Sequence, residues 1–145
     1  MKRIIAVILL AFLACTLYAF DIVKDGKTVS IHIPEKASES EKFAKQELET
    51  FLAKITGPKV NGLLPGKILL GTLQSRKDLP AKMVKKLKSS KNDAFYLYAP
   101  SNEVLYIAGK DPKCVLYGVH ELLEKLGVHF FYPGELGEVI PQKKN

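Results

Sequence analysis

The chain has 145 residues and a formal net charge of +7, with 26% charged and 47% hydrophobic residues. That length suits one domain, and two cysteines exclude a disulfide-stapled scaffold. The chain has no Trp, and no aromatic residue interleaves with its main lysine run, which argues against a nucleic-acid stacking platform.

Residues 1–19 read as a secretory signal peptide. Lys2 and Arg3 form a basic start, Ile4 to Ala14 is an uncharged apolar run, and Ala19 offers a small residue at the cut. The run is shorter than the roughly 20 residues of a membrane span. Phe12-Leu13-Ala14-Cys15 also resembles a lipobox loosely, so lipidation of Cys15 is the one route to a membrane. Cleavage after Ala19 removes Cys15 and leaves Cys114 alone, so stability must come from a packed core. A domain of this size buries roughly two-thirds of its unfolded surface. Cys114 lies in an apolar helical pattern and reads as core filler rather than a reactive thiol.

Asp21 to Val23 and Thr28 to Ile33 flank Asp25-Gly26, a hairpin signal. Val29, Ile31 and Ile33 form the apolar face of the second strand, and His32 falls on its polar face. Pro34 ends it. Ser38 and Glu41 have capping-box spacing. Ala44, Leu48, Phe51 and Ile55 then make an amphipathic stripe that stops at Gly57. Gly62 to Gly66 reads as a loop and Lys67 to Gly71 as a buried strand. Leu79-Pro80 opens a weaker helix bearing Met83, Val84 and Leu87. Ala94 to Ala99 and Val104 to Gly109 form a hairpin across the turn Pro100 to Glu103. Asp111 and Pro112 cap a third helix with Val115, Val119, Leu122 and Leu126 as its stripe. Gly118 inside that helix costs about 1 kcal/mol relative to Ala, which signals close approach to the sheet. Val128 to Tyr132 is the last strand. About six strands and three helices in this order predict an α/β (α+β) sandwich with a mixed sheet. The domain is expected over residues 20–141, followed by a polar tail at 142–145.

The search for chemistry assigns no catalytic, cofactor-binding or metal-ligating residue. Cys114 and His120 are six apart, about 600° of helical rotation, and lie on different faces. His120 and Glu124, with Glu121 nearby, supply two ligands without the HExxH pattern and read as a solvated helix face. Glu135 and Glu138 are paired carboxylates of the kind that glycoside hydrolysis uses, but here on a turn-rich tail. Gly134 and Gly137 precede no helix and make no phosphate cradle. Lys82, Lys85, Lys86, Lys88 and Lys91 form a basic cluster that would attract an anionic polymer, or simply a solvated face.

Leu105 to Pro141, above all Leu116-Tyr117-Gly118-Val119 through Leu126-Gly127 to Tyr132-Pro133-Gly134, resembles the N-terminal domain of family 67 alpha-glucuronidases. Ala44 to Gly57, Ile68 to Gly71 and Asp93 to Gly109 extend the likeness. Relatives often carry Gly where Cys114 stands. The resemblance implies the fold of chitobiase and beta-hexosaminidase domain 2, a carbohydrate setting and no cofactor. It also implies a partner catalytic barrel that holds the catalytic carboxylates, none of which falls on this chain. The expectation is a non-catalytic accessory domain of an exported glycoside-hydrolase-like protein, set apart from its barrel by a truncated, split or frameshifted gene. The alternatives are a stand-alone exported carbohydrate- or anionic-polymer-binding module, and a structural partner docking on a separately encoded barrel. A barrel contact should leave an exposed apolar rim, for which Phe130, Phe131, Tyr132 and Leu136 are the candidates.

Overall fold

The computed structural model describes residues 20–57, 62–131 and 137–141. The signal segment with Cys15, the residues Tyr132, Glu135 and Leu136, and the 142–145 tail lie outside them. The elements in chain order are β1 (Val23–Lys24), β2 (Lys27–His32), α1 (Glu39–Thr56), β3 (Leu63–Thr72), α2 (Ala81–Ser89) and β4 (Phe95–Tyr98). Then come β5 (Val104–Gly109), α3 (Pro112–Lys125), β6 (His129–Phe130) and β7 (Glu138–Val139). One mixed sheet has the order β1-β2-β3-β5-β4, and β6 and β7 form a separate two-stranded sheet. The expected sandwich with three helices is therefore present, with seven strands among the described residues rather than about six.

β1 and β2 pair antiparallel across Asp25-Gly26, which both take positive φ, as a tight primed hairpin turn requires. α1 then carries the chain over the sheet so that β2 and β3 run parallel. β3 and β5 are also parallel, while β4 closes the edge antiparallel to β5. Strand alternation divides the residues between two faces. On one face Val29, Ile31, Ile68, Leu70, Leu105 and Ile107 meet Ala44, Leu48 and Phe51 of α1 and Val115, Val119 and Leu123 of α3. On the other, α2 lays Met83 and Leu87 against Ala108, with Tyr96, Tyr98 and Tyr106 around them.

Two boundaries depart from the sequence reading. The expected loop at Gly62 to Gly66 is the first half of β3, because Leu63 pairs with Thr28 of β2. The register shifts between Thr28 and Ser30, where β3 takes up extra residues. Pro65 falls inside this bulged stretch, where a missing ladder donor is tolerated. Gly66 lets the backbone lie against Phe20 and Val29: a Cβ there would sit 3.2 Å from the Phe20 ring. The last strand shrinks to His129–Phe130, since its partner β7 is only two residues long.

Caps and close contacts fix the helices. Ser38 and Glu41 form the full capping box of α1. Asp111 caps α3 by accepting from the Cys114 N–H at 3.1 Å. Burial acts to raise the Asp111 carboxyl, but the Cys114 hydrogen bonds and the Lys113 charge outweigh it and leave the group below its ordinary value. Gly118 sits over β5, where an added Cβ would lie 2.6 Å from Ile107 Cγ2.

Two stability measurements check this account. Gly118→Ala gains about 1 kcal/mol of helix propensity but overpacks Ile107, which typically costs about 1–3 kcal/mol. Urea unfolding should show a less stable variant, and a more stable one contradicts the close approach. Asp111→Ala should cost about 1 kcal/mol at neutral pH. Because the folded carboxyl is depressed, its contribution is present above the unfolded value and is lost as pH falls through the folded one. Wild type and variant should therefore converge in stability in acid, and a difference that persists there contradicts the cap.

Candidate functional site

In a sheet with parallel strands, the cleft beyond their carboxyl ends is the usual place for a ligand. Here β2, β3 and β5 end at His32, Thr72 and Gly109, and α1 and α3 both start there. A cleft lined by Pro34, Ser38, Glu41, Thr72, Gln74 and Ser75 occupies this position. Four of its polar side chains, Ser38, Glu41, Thr72 and Ser75, are engaged with one another, while Glu35, Lys36 and Lys77 also line it. Glu41 is 1% exposed, and its carboxylate accepts from Ser38 N–H and Ser38 Oγ at 2.8 Å each and from Ser75 Oγ. Ser75 Oγ in turn accepts from the Thr72 N–H, and Thr72 Oγ1 accepts from the Ser75 and Gln74 N–H groups. α3 is capped by Asp111, and α1 by Ser38 with the Glu41 carboxylate bound back to it, so each of these helix N-termini holds a carboxylate that opposes a bound anion. The cleft is a structural joint between α1 and the loop after β3. The capping spacing revealed Glu41 in the sequence, but its reach across to Ser75 had no local signal.

His120, Glu121 and Glu124 do not converge. Glu121 pairs with Lys125 at 2.9 Å on the same helix. His120 is not merely solvated, as its position on the helix suggested. Its ring stacks on Phe130 with centroids 5.3 Å apart, and its Nε2 lies 3.8 Å from Glu47 Oε2 of α1. Phe130 also meets Phe51 edge to face at 5.3 Å. Glu138 donates nothing to a catalytic pair: it accepts from Lys54 Nζ at 2.7 Å. These contacts clamp the β6–β7 sheet onto α1 and α3. Among the described residues, nothing is packed over Phe131 and Val139 on the opposite side of that sheet. Phe131 is 71% exposed and Val139 49%, and His129 lies beside Phe131 with rings 6.2 Å apart. Of the expected rim, Phe130 therefore turns partly inward and Phe131 faces out, while Val139 was missed because nothing local shows that it pairs with His129 in a second sheet.

Asp93, Asp111 and Cys114 also gather, with ligand atoms within 4.8 Å of one another. Asp111 is the α3 cap and Asp93 pairs with Lys113 at 3.0 Å. Cys114 is fully buried as expected, and burial pushes its thiol up, away from the thiolate that a metal requires. The grouping is explained as a cap. His32, on the polar face of β2, is exposed and bonded to Ser30.

The lysine run departs from its sequence reading. Lys82, Lys85, Lys86 and Lys88 project from α2, and tyrosines from β4 do interleave with them in space. Lys82 Nζ lies 5.2 Å from the Tyr98 ring centroid and Lys86 Nζ 5.3 Å from that of Tyr96. The alternation in Phe95-Tyr96-Leu97-Tyr98 put both tyrosines on one face, but only the sheet order brings that face under α2. Among the described residues no helix is long and apolar enough to cross a membrane.

Three comparisons bear on ancestry. No curated protein matches the chain. Among solved structures, a GH138 enzyme targeting pectin rhamnogalacturonan II is similar at 21% identity with a TM-score of 0.49. The likeness covers 68% of this chain and 10% of that one. Residues 24–122 match the family described as Glycosyl hydrolase family 67 N-terminus. The match runs from β1 into α3, so Leu126 to Gly134, on which the sequence resemblance leaned, adds nothing to it. With most of the sheet, α1, α2 and most of α3 inside the matched span, the chain belongs to the Glycosyl hydrolase family 67 N-terminus family and is a glycoside-hydrolase-associated domain.

Proposed function

We propose that this chain acts as a non-catalytic accessory domain of an exported glycoside-hydrolase-type protein, seated against a catalytic domain that carries the reacting carboxylates. Family membership supports the catalytic partner. The single observation that carries the mode of contact is the outer side of the β6–β7 sheet, where Phe131 and Val139 present apolar surface beside His129. Its inner side packs through Phe130 on His120 and Phe51 and through Glu138 on Lys54, which leaves the outer side facing away from the helices. Adjacent exposed apolar side chains of this kind are what a contact with another domain would cover. The carboxylates Glu121, Glu124 and Glu138 are not arranged to act on a glycosidic bond: two of them pair with lysines on their own surface. Export rests on the basic start and apolar run of residues 1–19.

Two experiments test this reading. The purified chain alone should leave aryl glucuronides unhydrolysed, and turnover that survives purification to homogeneity would overturn the non-catalytic role. Phe131→Asp should weaken association with a family 67 catalytic domain by about tenfold or more, as expected for losing a central aromatic anchor. It should leave the folding stability within about 0.5 kcal/mol, because the side chain is exposed. Unchanged association would remove the rim from the account.

A further inference from the structure

Among the described residues, Lys82 to Lys91 is the densest group of lysines without acidic partners; Lys27, Lys36, Lys67 and Lys77 also lack a carboxylate pair but are dispersed along the chain. Lys24, Lys42, Lys45, Lys54, Lys113 and Lys125 each pair with a carboxylate. Among the described residues, Lys82, Lys85, Lys86, Lys88 and Lys91 have no such pair, and residues 79–92 contain no acid. Lys110 adds a sixth cation at the end of this strip, where its Nζ donates to the carbonyl oxygens of Ser90 and Lys91. The helix cannot turn its charges away, since Met83 and Leu87 are fixed in the core beneath it. A rise of about 1.5 Å per residue spaces Lys82 and Lys86 one turn apart. They stand over Tyr98 and Tyr96 of the edge strand β4, and the Tyr96 hydroxyl is held by Ser90 at 2.7 Å. The result is a dense group of cations beside the edge strand of the sheet, two of which, Lys82 and Lys86, lie over tyrosine rings.

We propose that this α2–β4 strip binds a carboxylated polysaccharide, a polyuronate chain, through its repeating negative charges. Such a group of like charges raises the local concentration of an extended polyanion. Nucleic acid fits less well. Single strands bind by stacking bases on free aromatic faces, and here Lys82 and Lys86 occupy the tyrosine faces. A membrane surface fits less well too, because the apolar side of α2 is buried in the sheet and cannot insert. The choice of a sugar polymer rests on the glycoside-hydrolase setting proposed above; the choice of a polyanion rests on the lysines alone.

The test is titration of the folded chain with polygalacturonate, its fully methyl-esterified form and a single-stranded DNA oligonucleotide, each at low and high salt. The expected result is binding to polygalacturonate that weakens with salt, and at least about tenfold weaker binding to the ester and to DNA. Lys85→Glu with Lys88→Glu should weaken polygalacturonate binding by about tenfold or more, and the two Lys→Arg changes should retain it. Both side chains are exposed, and the circular dichroism spectrum of each variant should match the wild type. Tighter binding to DNA would overturn the sugar assignment and count against the carbohydrate setting, while leaving a polyanion site. Equal binding to the ester, no binding to any probe, or indifference to charge reversal would overturn the site itself without touching the accessory role.

Discussion

The carboxylate of Glu41 is the constraint on which this arrangement depends. It is a charged-type side chain in the interior that makes no ion pair among the described residues, held by Ser38 on its own helix and by Ser75 beyond β3. A buried acceptor left without donors costs about 1–3 kcal/mol, so a network of this kind must be complete. Completing it fixes the start of α1 against the end of β3. That in turn sets the parallel pairing of β2 with β3, since α1 is the crossover between them. The same network forms one wall of the cleft at the carboxyl ends of the strands. A position that often holds a ligand in sheets of this kind is here used to join elements.

With the cleft committed, the outward features of the domain lie on its edges. α1 and α3 cover one face of the sheet and hold the small β6–β7 sheet through Phe51, His120 and Phe130. α2 covers part of the other face and carries the unpaired lysines. One edge is therefore apolar, the other cationic with two lysines over tyrosine rings. The two are held by different helices on opposite faces, so a protein partner and a polymer would not compete for the same surface.

Much of the fold was legible because its signals are local. The Ser38–Glu41 box, the Asp25-Gly26 turn, the Asp111-Pro112 start and the Gly118 contact are each set by a few neighbouring residues, and the structure has all four. The Gly62 to Gly66 stretch failed as a prediction because its strand character comes from pairing with Thr28, far away in sequence. The surfaces were harder. His120 read as solvated because nothing in its own helix announces Phe130, which arrives on the next strand. Tyr96 and Tyr98 seemed unrelated to the lysines because the sheet order, not the sequence, lays β4 beneath α2.

The central claim is that this domain works through its edges while the strand-end cleft is structural. Amide chemical-shift mapping of the chain during titration with polygalacturonate tests that most directly. The account predicts shifts confined to residues 82–91, Tyr96, Tyr98 and Lys110. Shifts centred instead on Ser38, Glu41, Thr72 and Ser75 would show that the cleft is a binding site, and would contradict it.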